Sequence, residues 1–307
     1  MLAINHILLV LDQELDNSVA LKRAMQLSHD LNAELTVTTY AHNHACEEGS
    51  LSDLELRHNL QELLLEKSQT WAEELMQEFR LADRPLHVTW CKHAYQAVEQ
   101  AASKQTFELV IKAAAKHHSL VDRVLQHQDW NLLRFCPCPV LLVKQKHAWE
   151  SKQVIAAVDA TSADQAHSIV NEHIFEFAEL LTTDSDFDTH LVNSYPVMSM
   201  ALASLPDTPI PEDLQQYVIE QHQTACEELA HRFNIDAEVI HVREGEPEDV
   251  VVTLASQIDA DVILVGIIPQ EGIGPVLLGS TVEHVLDLTQ SDVLAIKPQD
   301  GVSPEVE

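Results

Sequence analysis

Five apolar segments occur twice along this chain in the same order, and that repeat restricts the fold more than any other feature. An apolar run ending in aspartate, Ile4 to Asp12, opens the first half, and Lys152 to Asp159 opens the second in the same way. Ala33 to Tyr40 is answered by Thr189 to Tyr195, and His87 to Trp90 by Val239 to Val242. Glu108 to Lys112 aligns with Asp261 to Val265 and Pro139 to Lys144 with Asp292 to Lys297, both displaced by 153 residues (261 − 108 and 292 − 139). Helical spacing fills the gaps. Asn17 to Leu31 carries Val19, Leu21, Ala24, Met25 and Leu27 at three-to-four intervals, Leu54 to Phe79 is a long amphipathic run, and Tyr95 to Ala102 a shorter one. Short, nearly all-apolar strands alternating with helices predict parallel sheets covered on both faces. The expected fold class is α/β, with two tandem domains, 1–147 and 152–298, each a five-stranded parallel sheet with helices on both faces. Ligands of such sheets bind beyond the carboxyl ends of the strands, where the strand order reverses.

Charge narrows the partners. With 18 Lys+Arg against 49 Asp+Glu, the formal net charge is −31. Such a surface repels nucleic-acid backbones and anionic lipid headgroups, so neither nucleic acid nor membrane is expected as a partner, and a small-molecule ligand is. The five cysteines are scattered and odd in number, with no CxxC, which reads as reduced thiols. The apolar run Ile7 to Leu11 has no basic region before it and is too short for a signal peptide or a membrane span, so a cytoplasmic location is expected.

The seven glycines are unevenly placed: Gly49 is the only one in the first 150 residues, whereas Gly266, Gly272, Gly274 and Gly279 crowd into Val265 to Thr281. That stretch links the apolar run Val262 to Val265 to a predicted helix starting near Gly279-Ser280-Thr281. A glycine-rich link from strand to helix suits phosphate, because backbone N–H groups at the helix start can approach an anion closely.

A strand ending in Asp, αβ repeats and a late glycine loop running into Gly-Ser resemble the universal stress protein family, in its tandem two-domain form with the Asp129 to Pro137 segment closing the first unit. The resemblance implies a Rossmann-like fold, a stress-response role and, in some members, ATP binding. Carried onto this chain, it implies a nucleotide site of Asp159, Val265, Gly266, Gly279, Ser280 and Thr281. Proline stands at the second glycine position, Pro269, and Gln270 where a basic residue often follows. Losing a charge-assisted hydrogen bond costs roughly 1.5–3 kcal/mol, so weak ATP binding is expected. In the first half the corresponding residues are Ala113, Lys116, Gln126 and His127, with no glycine, so no family-type site is expected there. Asp12 alone reads as a solvated residue or a helix cap.

His42, His44 and Cys46 alternate after the second strand, His93 follows the third, and His117 and His118 follow the fourth. These loops lie at one end of a parallel sheet, so a Zn²⁺ site is an expectation to test against the reading of ordinary surface histidines. The loop from Tyr195 to Pro206 is apolar and Met-containing, suited either to lining a ligand pocket or to sealing a domain interface. No GxSxG, HExxH or complete P-loop lysine motif occurs, so no enzyme is expected. The alternative to nucleotide binding is a non-nucleotide ligand or interaction module using an apolar or histidine-rich crevice. The last strands of the halves, Val140 to Val143 and Val293 to Ile296, are expected to pair in an intramolecular pseudo-dimer, with a homodimer of the whole chain also open.

Overall fold

The computed structural model describes residues 2–47, 53–115, 127–144, 147–162, 164–182, 187–197, 212–268 and 280–298. They form two compact units that divide between Ala148 and Trp149. The first contains β1 (His6–Leu11), α1 (Ser18–Asp30), β2 (Glu34–Ala41), α2 (Leu54–Glu78), β3 (Leu86–Trp90), α3 (Ala94–Ala102), β4 (Leu109–Ala113), α4 (His127–Phe135) and β5 (Val140–Val143). The second contains β6 (Gln153–Ala157), α5 (Gln165–Thr182), β7 (Asp188–Tyr195), α6 (Glu212–Arg232), β8 (Ile240–Glu244), α7 (Pro247–Ile258), β9 (Val262–Gly266), α8 (Ser280–Leu288) and β10 (Asp292–Ile296).

All described strand pairs within each unit are parallel, in the order β3-β2-β1-β4-β5 and its counterpart β8-β7-β6-β9-β10. The α/β repeat read from the sequence is therefore the observed architecture. Ile7 to Leu11 are completely buried, as a central parallel strand with helices on both sides must be. The first helix differs in length between the halves, with 13 residues in α1 and 18 in α5. Strand bounds shift by one or two residues in several places, as at β8, where Ala237–Val239 forms a 3-10 turn and the strand starts at Ile240. Helix α7 starts at Pro247, whose missing N–H falls where a helix has no acceptor for it, and stops at Asp259 in the left-handed conformation (φ 54°). Among the described residues no helix is long and apolar enough to cross a membrane.

The boundary residues belong to the second unit for a physical reason. Buried Trp149 donates its indole N–H to Asp292 at 2.8 Å, and Asp261 accepts the backbone N–H groups of Glu150 and Lys152 at 3.2 and 2.6 Å.

At the amino ends of β6, β7 and β8 a polar chain is partly buried. The His190 Nε2 lies 2.6 Å from Gln153 Oε1, and its Nδ1 lies 2.9 Å from His241 Nε2, with the two rings stacked. The amide oxygen only accepts, so His190 Nε2 carries a proton, and His190 Nδ1 then accepts from His241 Nε2. Both imidazoles are neutral in this arrangement. Burial lowers the pKa of both, that of His241 to about 4, helped there by His190 and Arg243. The unfolded chain takes up these protons near pH 6.5, so the contribution is whole above that value and is lost as pH falls towards 4. Discounted for solvent screening, the loss is on the order of 1 kcal/mol. Melting curves between pH 7.5 and 5 should fall less steeply in His241→Gln than in the wild type, and identical slopes would discount the pair.

Candidate functional site

In the second unit the chain proceeds from β6 outwards through β7 and β8, then returns to β9 on the other side of β6. Loops diverge at such a reversal and leave a crevice beyond the carboxyl ends of the strands. A cavity of about 570 Å³ lies there. Asp159 and Thr161 after β6, Val265 and Gly266 ending β9, Thr281 in the first turn of α8, Asn193 on β7 and His222 on α6 all line it.

The carboxylate of Asp159 is half exposed and ordered by its own loop. Its Oδ1 accepts from the Ser162 N–H at 3.1 Å and the Thr161 hydroxyl at 3.4 Å, while Oδ2 lies 3.8 Å from His167 Nε2. Asn171 on α5 donates to the Asp159 carbonyl at 2.8 Å, holding the strand end against the helix. Across the cavity, Asn193 donates to the Val158 carbonyl at 2.9 Å, and its Oδ1 lies 2.6 Å from His222 Nδ1.

Gly266 has a second reason for being glycine. A Cβ added there would lie 2.3 Å from Val170 Cγ1 on α5, so the close packing of helix on strand by itself excludes a side chain. Gly266→Ala is expected to cost about 1–3 kcal/mol by overpacking. Val170→Ala in the same chain should recover most of that loss, as hydrogen exchange at the amides of β9 would measure; no recovery would place the cost elsewhere.

The corresponding region of the first unit is built differently. Val265 is replaced at the 153-residue offset by Lys112, which is 1% exposed. Its Nζ lies 2.9 Å from Asp129 Oδ1 and 3.4 Å from Asp12 Oδ2. The Tyr40 hydroxyl donates to Asp12 at 2.9 Å, and the Ala115 N–H to Asp129 at 2.9 Å. Burial pushes the Lys112 pKa down, but the two carboxylates outweigh it and hold the ammonium above the ordinary lysine range. Burial and Asp12 together push the Tyr40 phenol far up, so it stays a donor. Asp12 is therefore neither solvated nor merely a cap, as the sequence suggested; it is one arm of a buried ionic cluster. Lys112 and Asp129 were not recognised as its partners, because 100 and 117 residues separate them from Asp12.

Of the histidines and cysteine proposed for Zn²⁺, His42, His44, Cys46 and His93 are among the described residues. Among the described residues no group of three or more His, Cys, Asp or Glu is arranged to hold a metal ion. His42 and His44 instead lie 3.3 and 3.2 Å from one oxygen of Glu47, and the Lys92 ammonium lies 3.4 Å from the same oxygen. A fixed cation already serves that carboxylate. Cys46 is buried in the turn His44–Cys46, and His93 stacks on Tyr95 with ring centroids 5.6 Å apart. His117 and His118 lie outside the described residues, as do Pro269 to Gly279 and the Met-containing stretch 198–206; Ser280 opens α8, but its side chain is likewise outside them.

A tandem pair of such sheets, the second with a crevice beyond its strand ends, defines a class that sequence comparison identifies. Residues 3–144 and 151–297 each match the model of the universal stress protein family, and the chain belongs to that family. It is 29% identical to universal stress protein E of Escherichia coli over 97% of this chain and 96% of that protein. It is 26% identical to a universal stress protein E homolog of Haemophilus influenzae, over 95% of this chain and 97% of that one. Among solved structures, a functionally unknown protein from Pseudomonas aeruginosa aligns with a TM-score of 0.71 at 25% identity, covering 97% of this chain and 94% of that one. A universal stress protein from Archaeoglobus fulgidus shares the fold with a TM-score of 0.63 at 15% identity, covering 96% and 98%.

Proposed function

We propose that this stress-family chain binds ATP weakly, once per chain, through the second unit only. One observation carries the reading: Asp159, Val265, Gly266 and Thr281 line a single cavity at the strand reversal of the second unit. Its counterpart in the first unit has Asp12 already paired with a buried lysine. A nucleoside fits beside Asp159, and the start of α8, with Gly279 before it, supplies N–H groups suited to phosphate. Proline at position 269 removes one N–H donor from the connecting loop, which keeps the affinity low.

Isothermal titration with ATP tests this. A stoichiometry near one per chain is expected, with binding reduced by Gly279→Val and by Ser280→Ala. Two equivalent sites, or affinity unchanged by Gly279→Val, would overturn the proposal. Mass spectrometry of the ligand carried by gently purified protein distinguishes it from the alternative of a non-nucleotide ligand in the same cavity.

A further inference from the structure

We infer that His222 reads the sugar of the bound nucleotide: its Nε2 is held as a hydrogen-bond acceptor in the cavity that Asp159 lines, and these two acceptors select a ribose bearing hydroxyl groups. The inference rests on the nucleotide reading of that cavity.

A backbone carbonyl can only accept, so the Asn193 contact to the Val158 carbonyl must be made by the side-chain NH₂. That fixes the amide orientation and presents Oδ1 to His222. Oδ1 also only accepts, so at 2.6 Å the His222 Nδ1 must carry the proton. Asn193 is 3% exposed, which leaves this relay from backbone to amide to imidazole little room to rearrange. Burial lowers the His222 pKa, opposed by the Asp159 charge, which favours the singly protonated ring that the Asn193 bond requires. Nε2 is left with its lone pair.

His222 and Asp159 line one cavity, and Asp159 is near enough to act on the imidazole electrostatically. A carboxylate and a neutral acceptor disfavour phosphate and favour a group with two donors. The vicinal hydroxyls of a ribose are such a group, whereas Thr281, at the start of α8, lies at the end suited to phosphate. The two ends of the cavity thus differ in the ligand chemistry they accept.

The test is titration of wild type and His222→Phe with ATP and with 2′,3′-dideoxyATP. Wild type should prefer ATP by about fifty- to five-hundredfold, the value of one hydrogen bond to the Asp159 carboxylate and one neutral bond to His222. In His222→Phe the preference should fall about fivefold, to the share that Asp159 supplies, while 2′,3′-dideoxyATP binds both proteins alike. An undiminished preference in the variant would overturn the role of His222. Nitrogen-15 NMR of the wild-type imidazole guards against a misfolded variant: Nε2 should resonate as an unprotonated nitrogen and move on saturation with ATP. An Nε2 that is protonated, or unmoved by ATP, would likewise overturn it. Failure of the wild type to bind either nucleotide is a different result, which removes the nucleotide reading itself and this inference with it.

Discussion

Replacing Lys112 with methionine is expected to cost the first unit about 3–5 kcal/mol, because it leaves two buried carboxylates facing each other without a cation. The lysine stem is apolar and methionine approximates its length, so little of the loss comes from packing. The effect belongs to the charge. Combining Lys112→Met with Asp12→Asn and Asp129→Asn removes the whole cluster and should restore most of the stability, since a buried ionic group can often be replaced by neutral groups of similar volume. Each asparagine retains one oxygen to accept from Tyr40 or from the Ala115 N–H. With two compact units the chain has no single unfolding free energy, so hydrogen exchange at the amides of β1 and β4 is the appropriate measurement. A triple variant as unstable as the single one would show that the charges are not what matters. The cluster also makes Asp12→Ala a poor control for nucleotide binding, because it weakens the first unit whatever the ligand does.

Asp159→Ala should lower ATP affinity by ten- to a hundredfold, the equivalent of losing a hydrogen bond to a charged group at roughly 1.5–3 kcal/mol. The same substitution should leave the melting temperature almost unchanged, since the carboxylate is half exposed and, among the described residues, bonds its own loop and a partly exposed histidine. In the opposite direction, Pro269→Gly should tighten binding by about a decade if the missing N–H donor is what limits affinity. An unaltered affinity in Asp159→Ala, with the protein folded, would dismiss Asp159 as a ligand contact. A weaker Pro269→Gly would mean that proline orders the loop instead of depriving it of a donor.

The fold was legible because parallel strands buried on both faces leave a plain trace. Ile7 to Leu11 and Val262 to Val265 have almost no residue that a solvent-facing strand would carry, and each recurs at the matching place in the other half. Part of the candidate site was legible too: Asp159 follows β6 and Gly266 ends β9, both line one cavity, and ligands gather at strand ends. What escaped was tertiary pairing. Lys112 looked like the polar end of a strand, and only the folded chain brings Asp12 and Asp129 to it. His222 sits in a run of Glu and Gln on α6 that reads as a solvated face, yet that face turns one imidazole onto Asn193 of β7. Gly266 carried two meanings at once, and the contact with Val170, 96 positions earlier (266 − 170), could not be inferred from local spacing.

The bond from Trp149 to Asp292 gives the chain a built-in optical label. Of the four tryptophans, Trp71, Trp90 and Trp130 belong to the first unit and Trp149 alone to the second. Replacing the first three by phenylalanine would make the remaining indole emission report on the second unit by itself. Its buried ring and its hydrogen bond to a carboxylate would both be lost on unfolding, moving the emission towards that of an indole in water. Denaturation and ligand addition could then be followed in one half of a duplicated molecule without cutting it in two.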